Sequence, residues 1–387
     1  MRLLLVLALL MGSMVAPALA QDKEIAVLEA VLAEGPLDLT LFSAEFLKAV
    51  PAAQLEPIVA DIKKTIGPVI AVIPKGGTSF LVETATHEMP SELALDHAGK
   101  IIGLFFRPPV AKNASIEDIL SEMAAAAPQT AYLVTKNGVP LYQKDADTGL
   151  AVGSAFKLGV LKALRDQIDA GTRQWSEVAE LTAADLSLPS GMLQGWPVGS
   201  PLTLGTLASL MISISDNTAT DVLMRVVGRD AVEAALGIAP ALTTRELFVL
   251  KGNRALMARY GGGDVAAKRA VLLEVAKLPP PDVSLVMNPH DKGAEWYVSP
   301  TELCALIASV ADLGATQINP GAANKADWAS VSFKGGSEVG VLNMTTQMTA
   351  KDGTIYCVAA SWNDDKAIEE AKATGAYASL LAKLARG

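Results

Sequence analysis

Ser154 and Lys157 are of types, and at a spacing, that could do covalent chemistry. A serine hydroxyl is a poor nucleophile until a neighbour takes its proton. Positions three apart share a helix face, so Lys157 can point at the Ser154 oxygen if Ser154-Ala155-Phe156-Lys157 opens a helix. At a helix start the backbone N–H of Ser154 is also an unpaired donor, available to a developing oxyanion. Alone, the spacing is common and reads as a helix surface. Ser215-Asp216-Asn217 lies at a break between helical stretches at Leu202–Met211 and Thr218–Val227. Such a break can aim side chains into a cleft, although all three are ordinary helix-capping types. Lys334-Gly335-Gly336-Ser337 precedes a strand-like run and reads either as a glycine turn or as a strand edge whose backbone binds substrate.

Together the three stretches mean more than each does alone. Serine-x-x-lysine, then Ser-Asp-Asn, then Lys-Thr-Gly is the signature set of class A β-lactamases and penicillin-binding proteins, which residues 115–387 resemble. Ser154 and Ser215 are 61 residues apart, a separation similar to the family's. Gly199-Ser200-Pro201-Leu202-Thr203-Leu204 and Asn217-Thr218-Ala219-Thr220-Asp221 agree with it as well. The resemblance implies Ser154 as nucleophile, Lys157 as its base or proton relay, and Ser215 as proton shuttle to the leaving group. It implies Asn217 on the substrate's side-chain amide and Lys334 on a substrate carboxylate. The backbone of Gly336 and Ser337 would bind substrate, with the N–H groups of Ser154 and Ser337 as oxyanion hole. No cofactor or metal is expected.

The chain also departs from that pattern. Gly335 replaces the threonine of Lys-Thr-Gly, and no arginine lies on the following strand, Val339–Thr349. The glutamate that activates the deacylating water in class A enzymes has no matching motif. Glu246, in Thr244-Arg245-Glu246-Leu247, stands in the right region with a different context, ahead of a long insertion from Lys251 to Tyr297. Slow turnover of a β-lactam is therefore expected. The competing readings are a D-alanyl peptidase or esterase, and a non-catalytic sensor of β-lactams or cell-wall fragments.

These residues need elements to hold them. A hairpin is predicted from Ala131–Thr135 and Val139–Gln143 around Lys136-Asn137-Gly138. Helical patterning dominates 155–310, strands return at Val339–Thr349 and Thr354–Trp362, and a helix closes the chain over 365–385. The expected fold is α+β: an antiparallel sheet completed by both ends of a 116–387 domain, with a helical lobe between, entered through a helix near 116–126. Residues 22–107 read as a small α+β accessory domain. Its helical spacing runs through Leu41–Ile62, and strands are expected at Val69–Ile73, Ser79–Thr84 and Ile101–Phe106. That domain resembles the steroid-isomerase-like (nuclear-transport-factor-2-like) family. The pairing of the two resembles the cephalosporin esterase-like proteins of clavulanate gene clusters, which implies ester or slow lactam hydrolysis. Residues 108–115 read as a linker.

Composition bounds the partners. A net charge of −9 disfavours nucleic acid and anionic lipid, leaving a small-molecule substrate. Arg2, the apolar run Leu3–Leu10 and Ala18-Leu19-Ala20 have the form of a secretory leader cleaved after Ala20. The expected location is the periplasm or the exterior, with no membrane anchor after cleavage. The two cysteines, Cys304 and Cys357, fall in a helical and a strand pattern; a disulfide is open to them, and two buried thiols are the preferred reading. His87, His97 and His290 read as surface or satisfied polar residues, and no pair of histidines or cysteines has zinc-ligand spacing. With no glycine-x-serine-x-glycine elbow, a Ser-His-Asp hydrolase is disfavoured.

Overall fold

The computed structural model describes residues 21–289 and 293–386. The expected leader at 1–20 and His290 lie outside them. The described residues form two compact units, one within 124–370 and one of 21–123 with 371–386.

The smaller unit begins with helices α1 (Asp22–Leu32), α2 (Ala44–Ala49) and α3 (Ala52–Ile66). Ser43 caps α2 by accepting the Phe46 N–H. A meander follows: β1 (Val69–Gly76), β2 (Ser79–Thr84), β3 (His87–Leu95) and β4 (Ile101–Phe106), all antiparallel, with β5 (Val110–Ala111) on β3. Phe80 and Val82 on β2, and Met89 and Leu93 on β3, alternate inward. They meet Leu28 and Val31 of α1 and Val59 and Ile66 of α3 in one apolar core. Strand β3 was not among the expected strands. Its Pro90 and two glutamates mask the pattern, and only the alternate residues Met89, Ser91 and Leu93 are buried. The expected linker carries β5, and Lys112 donates to Thr84 O at 3.0 Å. α4 (Ile116–Ala124) ends at the unit's boundary.

The larger unit opens with the hairpin β6 (Gln129–Lys136) and β7 (Val139–Lys144), then the short β8 (Leu150–Ala151) and helix α5 (Lys157–Asp169). Strands β9 (Val178–Glu180) and β10 (Pro201–Thr203) pair with each other, and α6 (Leu204–Ser213), α7 (Asn217–Val227), α8 (Arg229–Leu236) and α9 (Thr244–Lys251) follow. The expected insertion holds α10 (Arg254–Gly261), α11 (Val265–Val275) and β11 (Tyr297–Val298), the last pairing with β8. Then come α12 (Pro300–Ala308), α13 (Gly314–Gln317), β12 (Ser330–Glu338), β13 (Val341–Thr349) and β14 (Ile355–Asn363).

The main sheet runs β12-β13-β14-β6-β7, antiparallel throughout, so both ends of the unit complete it and the helices lie between them in sequence. β14 is buried at all but one residue, as a central strand should be. Three strands rather than two close the sheet, because Lys334-Gly335-Gly336-Ser337 lies inside β12, an edge strand, and is not a turn before a strand.

Two further expectations change. Cys304 and Cys357 are joined by a disulfide that ties α12 to β14, with 5.9 Å between their Cα atoms. Periodicity placed each residue on its element but carried no information on proximity. The final helix, α14 (Glu370–Arg386), joins the smaller unit from Ala371 on, so the compact units differ from the bounds expected at 22–107 and 116–387. Within that unit Ala111 N–H donates to Ser379 Oγ at 3.0 Å, and Arg386 pairs with Glu88 at 2.7 Å.

Candidate active site

Ser154 sits in a single 3-10 turn, Gly153–Phe156, and the α-helix starts only at Lys157. Such a turn has three residues per revolution, so Ser154 and Lys157 eclipse and share one face. The turn is held from several sides. Asn363 accepts the Ala151 N–H at 2.8 Å and donates to Ala151 O at 2.9 Å. Val152 N–H donates to Trp296 O at 3.1 Å, and the Trp296 ring stacks on Phe156 with centroids 3.8 Å apart. Trp296 in turn donates its indole N–H to Leu242 O at 3.0 Å.

Two glycines let the strand edge approach this turn. Gly153 has φ +48°, a conformation costly for residues with a Cβ. A Cβ at Gly153 would lie 3.2 Å from Ser337 N. A Cβ at Gly336 would lie 2.1 Å from Val152 O and 2.4 Å from Ser154 N, distances no side chain tolerates. The backbone nitrogens of Ser154 and Ser337 are thus brought to the same junction, where the resemblance implies an oxyanion hole. At Gly335 the position of a threonine side chain is taken: a Cβ there would lie 2.8 Å from Phe333 Cζ.

Lys157 is fully buried, and its Nζ donates to Ser215 O at 2.7 Å and to Asn217 Oδ1 at 2.6 Å, with Ser215 Oγ at 3.1 Å. Lys334, 3% exposed, reaches the same Ser215 Oγ at 3.1 Å and also Gly335 O. One hydroxyl therefore bridges two buried lysines. Burial first, and then the charge of Lys334, push Lys157 well below its ordinary pKa; Asp221 and Asp216 oppose that. Burial lowers Lys334 to about 7. An uncharged amine has two hydrogens and one lone pair. In that form Lys157 would give its hydrogens to Ser215 O and Asn217 Oδ1 and keep its lone pair for a hydroxyl proton.

Ser215 adopts φ +59°, unusual outside glycine, and its surroundings enforce it. Ser190 Oγ donates to Ser215 O at 2.7 Å, and Asp216 N–H to Leu210 O at 3.1 Å. Asp216 is an N-cap and more: its carboxylate accepts from Ala219, Met192 and Leu193 N–H, fastening the loop before the break. Asn217, expected on the substrate's amide, has both ends engaged, since its Nδ2 donates to Leu188 O at 2.9 Å.

Sequence reasoning missed Asp221. It is buried one turn beyond Asn217, accepts from Thr244 N–H, Thr244 Oγ1 and Arg245 N–H, and is raised to about 7 by burial. It anchors the start of α9. Glu246, the candidate base, is committed elsewhere: Oε2 accepts the Thr243 N–H at 2.9 Å in a capping box, and Oε1 pairs with Arg229 at 2.6 Å. Its only sequence signal is threonine followed three residues later by glutamate, a cap signature. Asp221 and Glu246 also line a cavity of about 300 Å³ with Asp185, Arg225 and Arg245, and none of Ser154, Lys157, Ser215 or Lys334 borders it. Among the described residues no group of three or more His, Cys, Asp or Glu could hold a metal ion, and no helix is long and apolar enough to cross a membrane.

The model of the β-lactamase enzyme family matches residues 113–258, spanning the first two motifs and ending before the third. A β-lactamase from Sphaerobacter thermophilus is 22% identical over 70% of this chain and 97% of its own, at a TM-score of 0.50. The fold is β-lactamase-like. The penicillin-binding protein PBP-A (17% identity, 72% and 98% covered, TM-score 0.48) and the class A β-lactamase of the last common ancestor of Gram-negative bacteria (16%, 70% and 99%, 0.49) are also similar. No curated protein matches the chain.

Proposed function

We infer that the larger unit is a serine hydrolase that forms an acyl-enzyme at Ser154 on a β-lactam or a related ester or amide. The observation that carries this is the Ser215 hydroxyl shared by two buried lysines. In acylation Lys157 takes the Ser154 proton as Oγ attacks the carbonyl carbon. The Ser154 and Ser337 N–H groups stabilise the oxyanion. Ser215 gives its proton to the departing nitrogen or oxygen and is resupplied by Lys157 as Ser154 becomes acylated. Lys334, where charged, attracts a carboxylate.

Glu246, the residue that stands in the class A region, is held in its cap and ion pair and gives no help in releasing a β-lactam adduct, which supports slow turnover. The aromatic ring over Gly335, in place of a hydroxyl, favours an ester reading beside the lactam one. The smaller unit is assigned a steroid-isomerase-like accessory role, since helices followed by an antiparallel meander are compatible with that resemblance. The leader pattern at 1–20 supports export to the periplasm or beyond. Intact-protein mass followed over time with a penicillin and with an acetylated cephalosporin tests the reading. An adduct on Ser154 is expected with both, whereas reversible binding without added mass would make the protein a sensor.

A further inference from the structure

Hydrolysis of an ester at Ser154 needs a base for the incoming water, and Glu246 is committed to the α9 cap and Arg229. Another carboxylate is better placed. Side chains alternate along a strand, so Glu338 shares a face of β12 with Lys334 and Gly336. That face is turned to the nucleophile: Lys334 reaches Ser215 Oγ at 3.1 Å, and Gly336 abuts Ser154 N. Glu338 stands two residues beyond Gly336, about 7 Å of strand, and directly follows Ser337, whose nitrogen touches the Gly153 position.

Its carboxylate is withdrawn from solvent, with the side chain 17% exposed. Oε2 pairs with Lys251, the last residue of α9, whose side chain is only 4% exposed. Helix α9 is thus fastened to Asp221 at its start and to Glu338 at its end. The second oxygen, Oε1, is buried and accepts no hydrogen bond from the described residues. A buried carboxylate oxygen without a donor is costly, and a water molecule satisfies such an atom.

We propose that Glu338 is the general base of deacylation and that Lys251 positions it. This rests on the acyl-enzyme reading. Glu338 Oε1 takes a proton from a water whose oxygen attacks the acyl carbonyl carbon. A C–O bond forms, and the carbonyl electron pair moves to the oxyanion. Its return breaks the bond to Ser154 Oγ, which receives the proton held by Glu338. One water is consumed, one carboxylic acid leaves, and both residues are restored.

The test uses the full chain, pulsed with a penicillin and separately with a neutral ester, and follows the adduct by intact mass. Glu338→Gln keeps the shape of the side chain but cannot take the proton. It should acylate at nearly the wild-type rate and lose its adduct about 100-fold more slowly, the usual size of a general-base effect. Hydroxylamine, a stronger nucleophile than water, should discharge both adducts at similar rates. Lys251→Met should slow release by less. A Glu338→Gln adduct lost at the wild-type rate overturns the proposal. So does a parallel fall in acylation and release, which a purely structural ion pair would produce. A wild-type adduct that never turns over with either substrate overturns the base and leaves the nucleophile standing; no adduct at all overturns the acyl-enzyme reading.

Discussion

The two compact units treat charge in opposite ways. Among the described residues of the smaller unit, the buried polar groups are Ser43, Thr84, Ser91 and Ser379, none of them charged. The larger unit buries Lys157, Lys334, Asp216 and Asp221, and its two buried lysines share one hydroxyl. Burying an ammonium or carboxylate is expensive and shifts its protonation instead. The smaller unit is organised for stability, while in the larger burial pushes Lys157 and Lys334 below, and Asp221 above, their ordinary pKa values, a direction that suits proton transfer near neutral pH.

Substitutions in the two regions should therefore fail differently. Ser154→Ala should abolish penicillin labelling altogether, and a variant that still gains mass would break the assignment. Phe80→Ala, in the core of the smaller unit, should lower unfolding free energy by about 3–5 kcal/mol; urea denaturation would show it, with acylation unchanged while the protein is folded. Lys157→Ala should slow acylation by at least about 100-fold, measured by stopped-flow with a chromogenic cephalosporin. A near-normal rate would leave Lys157 a structural lysine.

The pH response of Lys334 sharpens the contrast further. Its folded-state pKa of about 7 lies below the ordinary lysine value, so the cation is lost as pH rises through 7. For an anionic substrate kcat/KM should fall by up to about tenfold per pH unit above that point, with a neutral ester unaffected by this group. The stability sign runs the other way. Between about pH 7 and 10 the unfolded chain keeps a proton that the native state lacks. Wild type should therefore gain up to about 1.4 kcal/mol per pH unit relative to Lys334→Met, and parallel denaturation curves across that window would contradict the assignment.

The three motifs and the antiparallel sheet with helices between its strands were legible because residue type, spacing and period are properties of sequence. Trp296, Asn363 and Asp221 were not. Each acts through a contact with a residue distant along the chain, Val152 and Phe156, Ala151, and Thr244 respectively, and although Asp221 ends a stretch that resembles the family, nothing in that stretch gives it a role. Glu246, which stands in the right region with a context that does not match, lies in a cap and an ion pair, partners that sequence does not show.

By itself the sequence determined which groups could exchange a proton and in what order they occur. Tertiary structure alone decided which of them share an oxygen. It also decided that the two cysteines meet and that the Glu338 carboxylate keeps one buried oxygen while Glu246 spends both. The reason is physical: periodicity reports the face a residue occupies, while burial and charge coupling depend on what the rest of the chain places opposite that face.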